Sequence, residues 1–163
     1  MHIRRWASLG GALVFAVLCG KAQELTASRA AAVEEAVRAF ARVVAHDVTE
    51  EGPTAWRRHF ADTPSFFMAS DGHLAFPDSA SATAGIRAYA PTIRHIELQW
   101  GDDLRVDPLA PNLAVMAASW HEIRVSTSGE RIDQRGFFTG VVEYRGNRWQ
   151  FRDAHWSVAG PEK

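Results

Sequence analysis

Asp153 and His155 stand two apart in the stretch Trp149-Gln-Phe-Arg-Asp-Ala-His-Trp156, where apolar and polar residues alternate. A carboxylate that orients an imidazole makes a general acid–base pair working near neutral pH. The chain just before them reads as a hairpin. Gly146-Asn147 is a favoured two-residue turn, and it pairs Tyr144 with Trp149, Val142 with Phe151, Gly140 with Asp153 and Phe138 with His155. Successive side chains alternate between faces. One face therefore carries Tyr144, Val142, Phe138, Trp149, Phe151, Asp153 and His155. The other carries Glu143, Arg145, Arg148, Gln150 and Arg152. The apolar face is the one to bury, and ionisable groups on it need partners. The plainer alternative is that Asp153 and His155 satisfy each other and only hold the sheet together.

The preceding strand adds candidates. An even-numbered turn centred on Ser128-Gly129 pairs Val125 with Ile132, which sets Ser119 opposite Phe138 and His121 opposite Gly136. Ser119 and His121 then join Asp153 and His155 on the inner face, where Gly136 and Gly140 leave room. His121 becomes a third candidate for acid–base catalysis. A three-residue loop would exchange every face. The same register puts Met116, Trp120, Phe137 and Trp156 on the outer face, with Glu122 opposite Arg135. Large apolar residues there point to a partner, most simply a second copy in a symmetric homodimer. For the wall of an inner pocket the choice is Phe60, Met68, Trp100 and Phe138, with Ser119 as a polar contact.

The elements that must position these residues are legible along the chain. Val33, Val37, Phe40 and Val44 recur at helical spacing and predict a helix over 27–46, with Glu34 and Arg38 paired on its outer face. Pro53 suits the first turn of a short helix over 54–60. Asp71-Gly72 is a type I′ turn inside a hairpin spanning 66–76. A third helix covers 80–89 and ends before Pro91. A strand over 93–100 breaks at Gly101-Asp-Asp103 and resumes at 104–106, and Pro108 and Pro111 bracket a loop. Long strands follow at 113–125, 131–144 and 148–158. Helices gathered on one face of antiparallel strands give an α+β fold, and a long strand broken at glycine lets the sheet curl into a cone.

Composition bounds the function. Arg4 and Arg5 precede an apolar run over 9–18, and Gly20 and Ala22 sit at −3 and −1 of a cleavage site after Ala22. Residues 1–22 thus read as a signal peptide, with a single domain over 23–163 that is periplasmic or secreted and holds no membrane segment after cleavage. Leu18 before Cys19 fits a lipoprotein anchor poorly. Cleavage lowers the basic count from 18 to 15 against 19 acidic residues, a net charge of −4, which argues against nucleic acid. The only cysteine is Cys19. The mature chain can therefore form neither a disulfide nor a thiolate metal site. The seven histidines show no metal-ligand spacing, and no metal or cofactor is expected.

Four stretches carry a resemblance: EEAVRAFARVVAHD, WRRHFADTPSFFMASDG, LAVMAASWHE and GFFTGVVEYRGNRWQFRDAHWSV, closing on Trp149, His155 and Ser157. Over residues 28–158 the sequence resembles the NTF2-like superfamily in its SnoaL-like and DUF4440-type branches. The resemblance implies a cone of curved sheet wrapped over about three helices, a pocket inside it and frequent sheet-to-sheet dimers. It implies no single function. The ketosteroid isomerase pattern of that superfamily needs a carboxylate and a tyrosine. Their positions correspond to Met68 and Phe40, so that mechanism does not carry over. The expectation is an exported dimer that binds a small apolar or aromatic molecule without catalysis. The alternatives are a proton-transfer enzyme of isomerase, dehydratase or cyclase type using His155 and Asp153, and an interaction module with a filled cone.

Overall fold

The computed structural model describes residues 25–160, so the segment read as a signal peptide, with Cys19, lies outside the described residues. The first helix, α1, runs Ala27–Glu51. Thr26 caps it by accepting the Arg29 N–H, and Gly52 ends it at φ 79°, a left-handed conformation suited to glycine. It outlasts the expected 27–46 because Val48 continues the buried stripe of Val33, Val37, Phe40, Ala41 and Val44. Glu34 and Arg38 pair at 2.8 Å, and Arg38 also donates to the Leu104 carbonyl.

A 3-10 turn at Pro53–Ala55 leads into the single-turn helix α2, Trp56–His59. Strands β1 (Phe67–Ser70) and β2 (His73–Phe76) form a hairpin. Asp71 and Gly72 both adopt positive φ, 48° and 81°, as a type I′ turn requires. Asp78 then caps α3, Ser79–Tyr89. The remaining strands are β3 (Ile93–Trp100), β4 (Arg105–Ala110), β5 (Leu113–Ser126), β6 (Arg131–Arg145) and β7 (Arg148–Val158). Pro108 belongs to β4 rather than to a loop. It sits on an edge strand, where its missing N–H breaks no ladder. Among the described residues no helix is long and apolar enough to cross a membrane.

The sheet order is β2-β1-β7-β6-β5-β3, with β4 also pairing β5. β3 and β4 lie successively along one edge of β5, bent at Gly101-Asp-Asp103. The bend is fastened by Asp103, which accepts from both the N–H and the hydroxyl of Ser119. The sheet is mixed rather than purely antiparallel, because β1 runs parallel to β7. Its inner face and the helices share one core, in which Phe66, Phe138, Phe151, Ile96 and Met116 are fully buried.

Two features of register overturn the expected faces. The β5–β6 loop has three residues: Ser126 donates to the Glu130 carbonyl across Thr127-Ser128-Gly129, and Gly129 takes φ 91°. Val125 therefore pairs with Arg131 rather than Ile132, Ser119 with Phe137, and Trp120 with Gly136. On β7 the pairing is as expected through Val142–Phe151. Arg152 is then an extra residue, and Val141 pairs with Asp153, Thr139 with His155 and Phe138 with Trp156. This is a β-bulge, and it turns the rest of β7 over. Met116, Trp120 and Trp156 consequently point inward. Ser119, His121, Asp153 and His155 point outward with Phe137.

Gly136 is what lets Trp120 lie inside. A Cβ there would stand 1.8 Å from the Ser157 carbonyl oxygen and 2.7 Å from the Trp120 ring. Ser157 O is backbone and cannot swing away. Gly136→Ala should destabilise the fold by about 3 kcal/mol, measured by chemical denaturation. A loss below about 0.5 kcal/mol would contradict this packing.

Candidate functional site

Trp156 stands at the centre of the cone. It meets Trp56, Trp100, Trp120 and Phe138 at ring-centroid distances of 5.5, 5.6, 5.4 and 4.7 Å. These are the edge-to-face and offset separations that aromatic rings favour. Beside this cluster is a cavity of about 410 Å³, bounded by Trp56 and Phe60 around α2, by Met68, Ser70 and Asp71 of the hairpin, by Ile86 and Tyr89 of α3, and by Ile96, Trp120, Gln134, Trp156 and Val158 of the sheet. Most of the wall is apolar. One side carries charge: Glu122 and Arg124, two apart on β5, both point in, because alternation places them on the face of Trp120.

The charged side has an uneven hydrogen-bond pattern. Arg124 donates to the Tyr89 hydroxyl at 2.9 Å and to the Gln134 side-chain oxygen. Its Nε lies 2.8 Å from a Glu122 oxygen, but the N–H is not directed at that oxygen. Glu122 therefore has a counter-charge and accepts no hydrogen bond among the described residues. Burial pushes its carboxyl above the usual carboxylate range, and the Arg124 charge only partly offsets this. Trp120, 6% exposed, has an indole N–H with no acceptor. An orphaned donor of this kind costs about 1–3 kcal/mol. The site thus presents an acceptor without donors and a donor without an acceptor on neighbouring positions of one strand face.

The residues expected to make a site are divided among several places. Phe60 and Met68 line the cavity. Trp100 and Phe138 sit one layer behind it, packed on Trp156, and Trp100 Nε1 donates to the Ala41 carbonyl. His155 is exposed on the outer face. Asp153, on the same face, accepts the Val141 N–H at 3.1 Å beside the bulge. Burial raises its carboxyl, but no histidine pairs with it. His121 contacts Asp133 at 2.7 Å, also outside the cone. Ser119, His121, Arg135, Phe137 and Ser157 border a second hollow of about 630 Å³. It is larger but holds no buried charge, and so has less of the character of a binding site. The intended outer patch of Met116, Trp120, Phe137 and Trp156 is reduced to Phe137, 46% exposed.

Four polar residues of the cavity were not anticipated: Tyr89, Glu122, Arg124 and Gln134. A signal for three of them is present in the chain. Glycine at the third position of a three-residue loop favours the left-handed residue that such a hairpin needs. Placing Gly129 there turns Glu122, Arg124 and Gln134 inward. His59 was also passed over. It is buried beside Phe40, with Nε2 2.9 Å from Asp47, and burial holds its pKa below the ordinary histidine value against the pull of Asp47. It joins α2 to α1 and does not border the cavity.

No family model and no curated relative matches the chain. Solved structures do. An NTF2-like superfamily protein from Salmonella enterica serovar Typhimurium superposes at TM-score 0.62 with 15% identity, covering 83% of this chain and 93% of that one. An NTF-2 like protein of unknown function from Shewanella oneidensis MR-1 matches at 0.58 and 14%, covering 76% and 97%. A hexachlorocyclohexane dehydrochlorinase, LinA type 2, matches at 0.63 and 11%, covering 80% and 87%. At these identities the likeness establishes the fold and no activity: the chain folds as an NTF2-like α+β cone.

Glu122 should titrate above the exposed glutamates in side-chain carboxyl NMR. Its folded pKa exceeds the unfolded one, so the folded state keeps this proton longer. Its contribution to stability is full below about pH 4.5 and is lost as pH rises through the folded value. A Glu122 titration at or below the ordinary value would contradict its burial.

Proposed function

We propose that this is an exported protein whose cone binds one small apolar or aromatic molecule, with the polar group of that molecule turned toward Glu122 and Trp120. The observation that carries this reading is the 410 Å³ cavity, walled by aromatic and aliphatic side chains and charged on one side only. Small-molecule sites have this composition, with much apolar surface and a few convergent polar groups. The cone is open, which weighs against the filled interaction module. The dehydrochlorinase with this fold is named for hexachlorocyclohexane, a small apolar substrate. Arg4, Arg5 and the apolar run behind them support export.

Proton-transfer catalysis is the second reading, and Glu122 favours it. A carboxyl raised by burial inside a ligand cavity is placed to exchange a proton near neutral pH. The histidine–aspartate pair first considered for that role lies on the other side of the sheet.

The outer face of β5, β6 and β7 supports a homodimer built differently from the one first expected. Val115, Ala117, Phe137, Thr139 and Val141 cover its middle, and no described element packs over them. Light scattering after size exclusion should give twice the subunit mass, and Phe137→Glu should return the mass to one subunit. A wild-type monomer would end this proposal.

Binding itself is tested with N-phenyl-1-naphthylamine, a neutral dye that brightens in apolar surroundings. It should bind once per subunit and quench the fluorescence of Trp56, Trp120 and Trp156. Met68→Trp, which projects more ring into the cavity, should weaken it about ten-fold or more. No brightening at micromolar dye, or no effect of Met68→Trp, would overturn the cavity as the binding site.

A further inference from the structure

We infer that the ligand of the cone is an apolar alcohol or phenol whose single hydroxyl bridges Trp120 and Glu122. The inference rests on the binding function proposed above and names the chemistry of its ligand. Trp120 and Glu122 are two positions apart on the inner face of β5, about 7 Å between their Cα atoms at normal strand rise. The indole offers an N–H with no acceptor, and the carboxylate accepts no hydrogen bond from the protein. One group between them must accept from nitrogen and donate to oxygen. A hydroxyl does both with one atom.

Other polar groups meet an obstacle on the same wall. A carboxylate or sulfonate would accept from Trp120 but would face Glu122, and the nearby cation is already committed. Arg124 lies against Glu122 and donates to Tyr89 and Gln134. An ammonium could donate to Glu122, but it has no lone pair for the indole and would stand beside Arg124. An ether or ketone accepts from Trp120 and leaves Glu122 without a donor. Asp71, at the hairpin end of the cavity, does not compete for the hydroxyl. One of its oxygens accepts the Val158 N–H and the other the Ser70 hydroxyl. The apolar remainder of the ligand then lies against Trp56, Phe60 and Trp156, which supply ring faces and no further donor at the cavity wall.

The test is equilibrium dialysis of the described domain, residues 23–163, against four probes that share one ring system: 2-naphthol, 2-methoxynaphthalene, naphthalene and 2-naphthoate. The expected order has 2-naphthol bound about ten-fold more tightly than each of the others, as a site built to hydrogen-bond a hydroxyl discriminates against analogues that lack it. Glu122→Gln should weaken 2-naphthol about five-fold by removing the charge from its acceptor. It should leave naphthalene unchanged, which also shows that the variant is folded. Equal binding of all four probes would overturn the hydroxyl bridge while the apolar cavity stands. Preference for 2-naphthoate would overturn it in favour of Arg124 as the recognition group. Failure of every probe to bind would overturn the binding function itself.

Discussion

Everything inside the cone depends on the register of three consecutive strands. A strand presents its residues alternately to two faces, so a shift of one position exchanges the whole set. Two single-residue devices set the register here. Gly129, in a left-handed conformation, closes a three-residue loop and aligns β6 on β5. Arg152, the extra residue of a bulge, realigns the end of β7 on β6. The first turns Trp120, Glu122 and Arg124 inward, and the second turns Trp156 inward to meet Trp120. If either device were absent, the tryptophans and the charged pair would lie on opposite faces and no cavity of this composition would form.

The charged pair is costly to bury, and the structure around it shows how that cost is limited. Arg124 makes two hydrogen bonds, one to α3 and one to β6, and keeps Glu122 as its counter-charge. Glu122 keeps only the counter-charge, and burial raises its carboxyl accordingly. A buried ion pair that lacks part of its hydrogen bonding contributes little to stability and often detracts from it. Its retention in the cavity, next to an unpaired indole N–H, has a better account in ligand recognition than in folding. The contrast with His59 is instructive. That residue is also buried and titratable, but it is packed against Phe40 and paired with Asp47, and it has an evident structural task between two helices.

Much of the fold was legible in the chain because local rules are enough for it. The stripe of Val33, Val37, Phe40 and Val44 marks α1, and the Asp71-Gly72 and Gly146-Asn147 pairs mark two hairpins whose turns formed as expected. The end of β7 was not legible by simple alternation. Trp149 and Phe151 occupy odd positions, whereas Ala154, Trp156 and Val158 occupy even ones, and that change of phase across Arg152-Asp153 is the mark of a bulge. A phase kept constant through it puts His155 inside and Trp156 outside. The loop at 126–130 was misread for a related reason. Its length parity, not its composition, decides the faces, and only glycine at the left-handed position distinguishes the odd loop from the even ones.

The parallel ladder between β1 and β7 has a consequence for how the protein comes to exist. Phe67 through Ser70 lie alongside Asp153 through Trp156, more than eighty residues later in the chain. The hairpin that forms one wall of the cavity therefore has no neighbour until the last strand is made. Contacts so distant in sequence form late and slowly, because a long loop must close before they are rewarded. A partly synthesised chain has helices and hairpins but no finished cone, and no ligand can hold it together. Such a chain remains open until its final strand emerges.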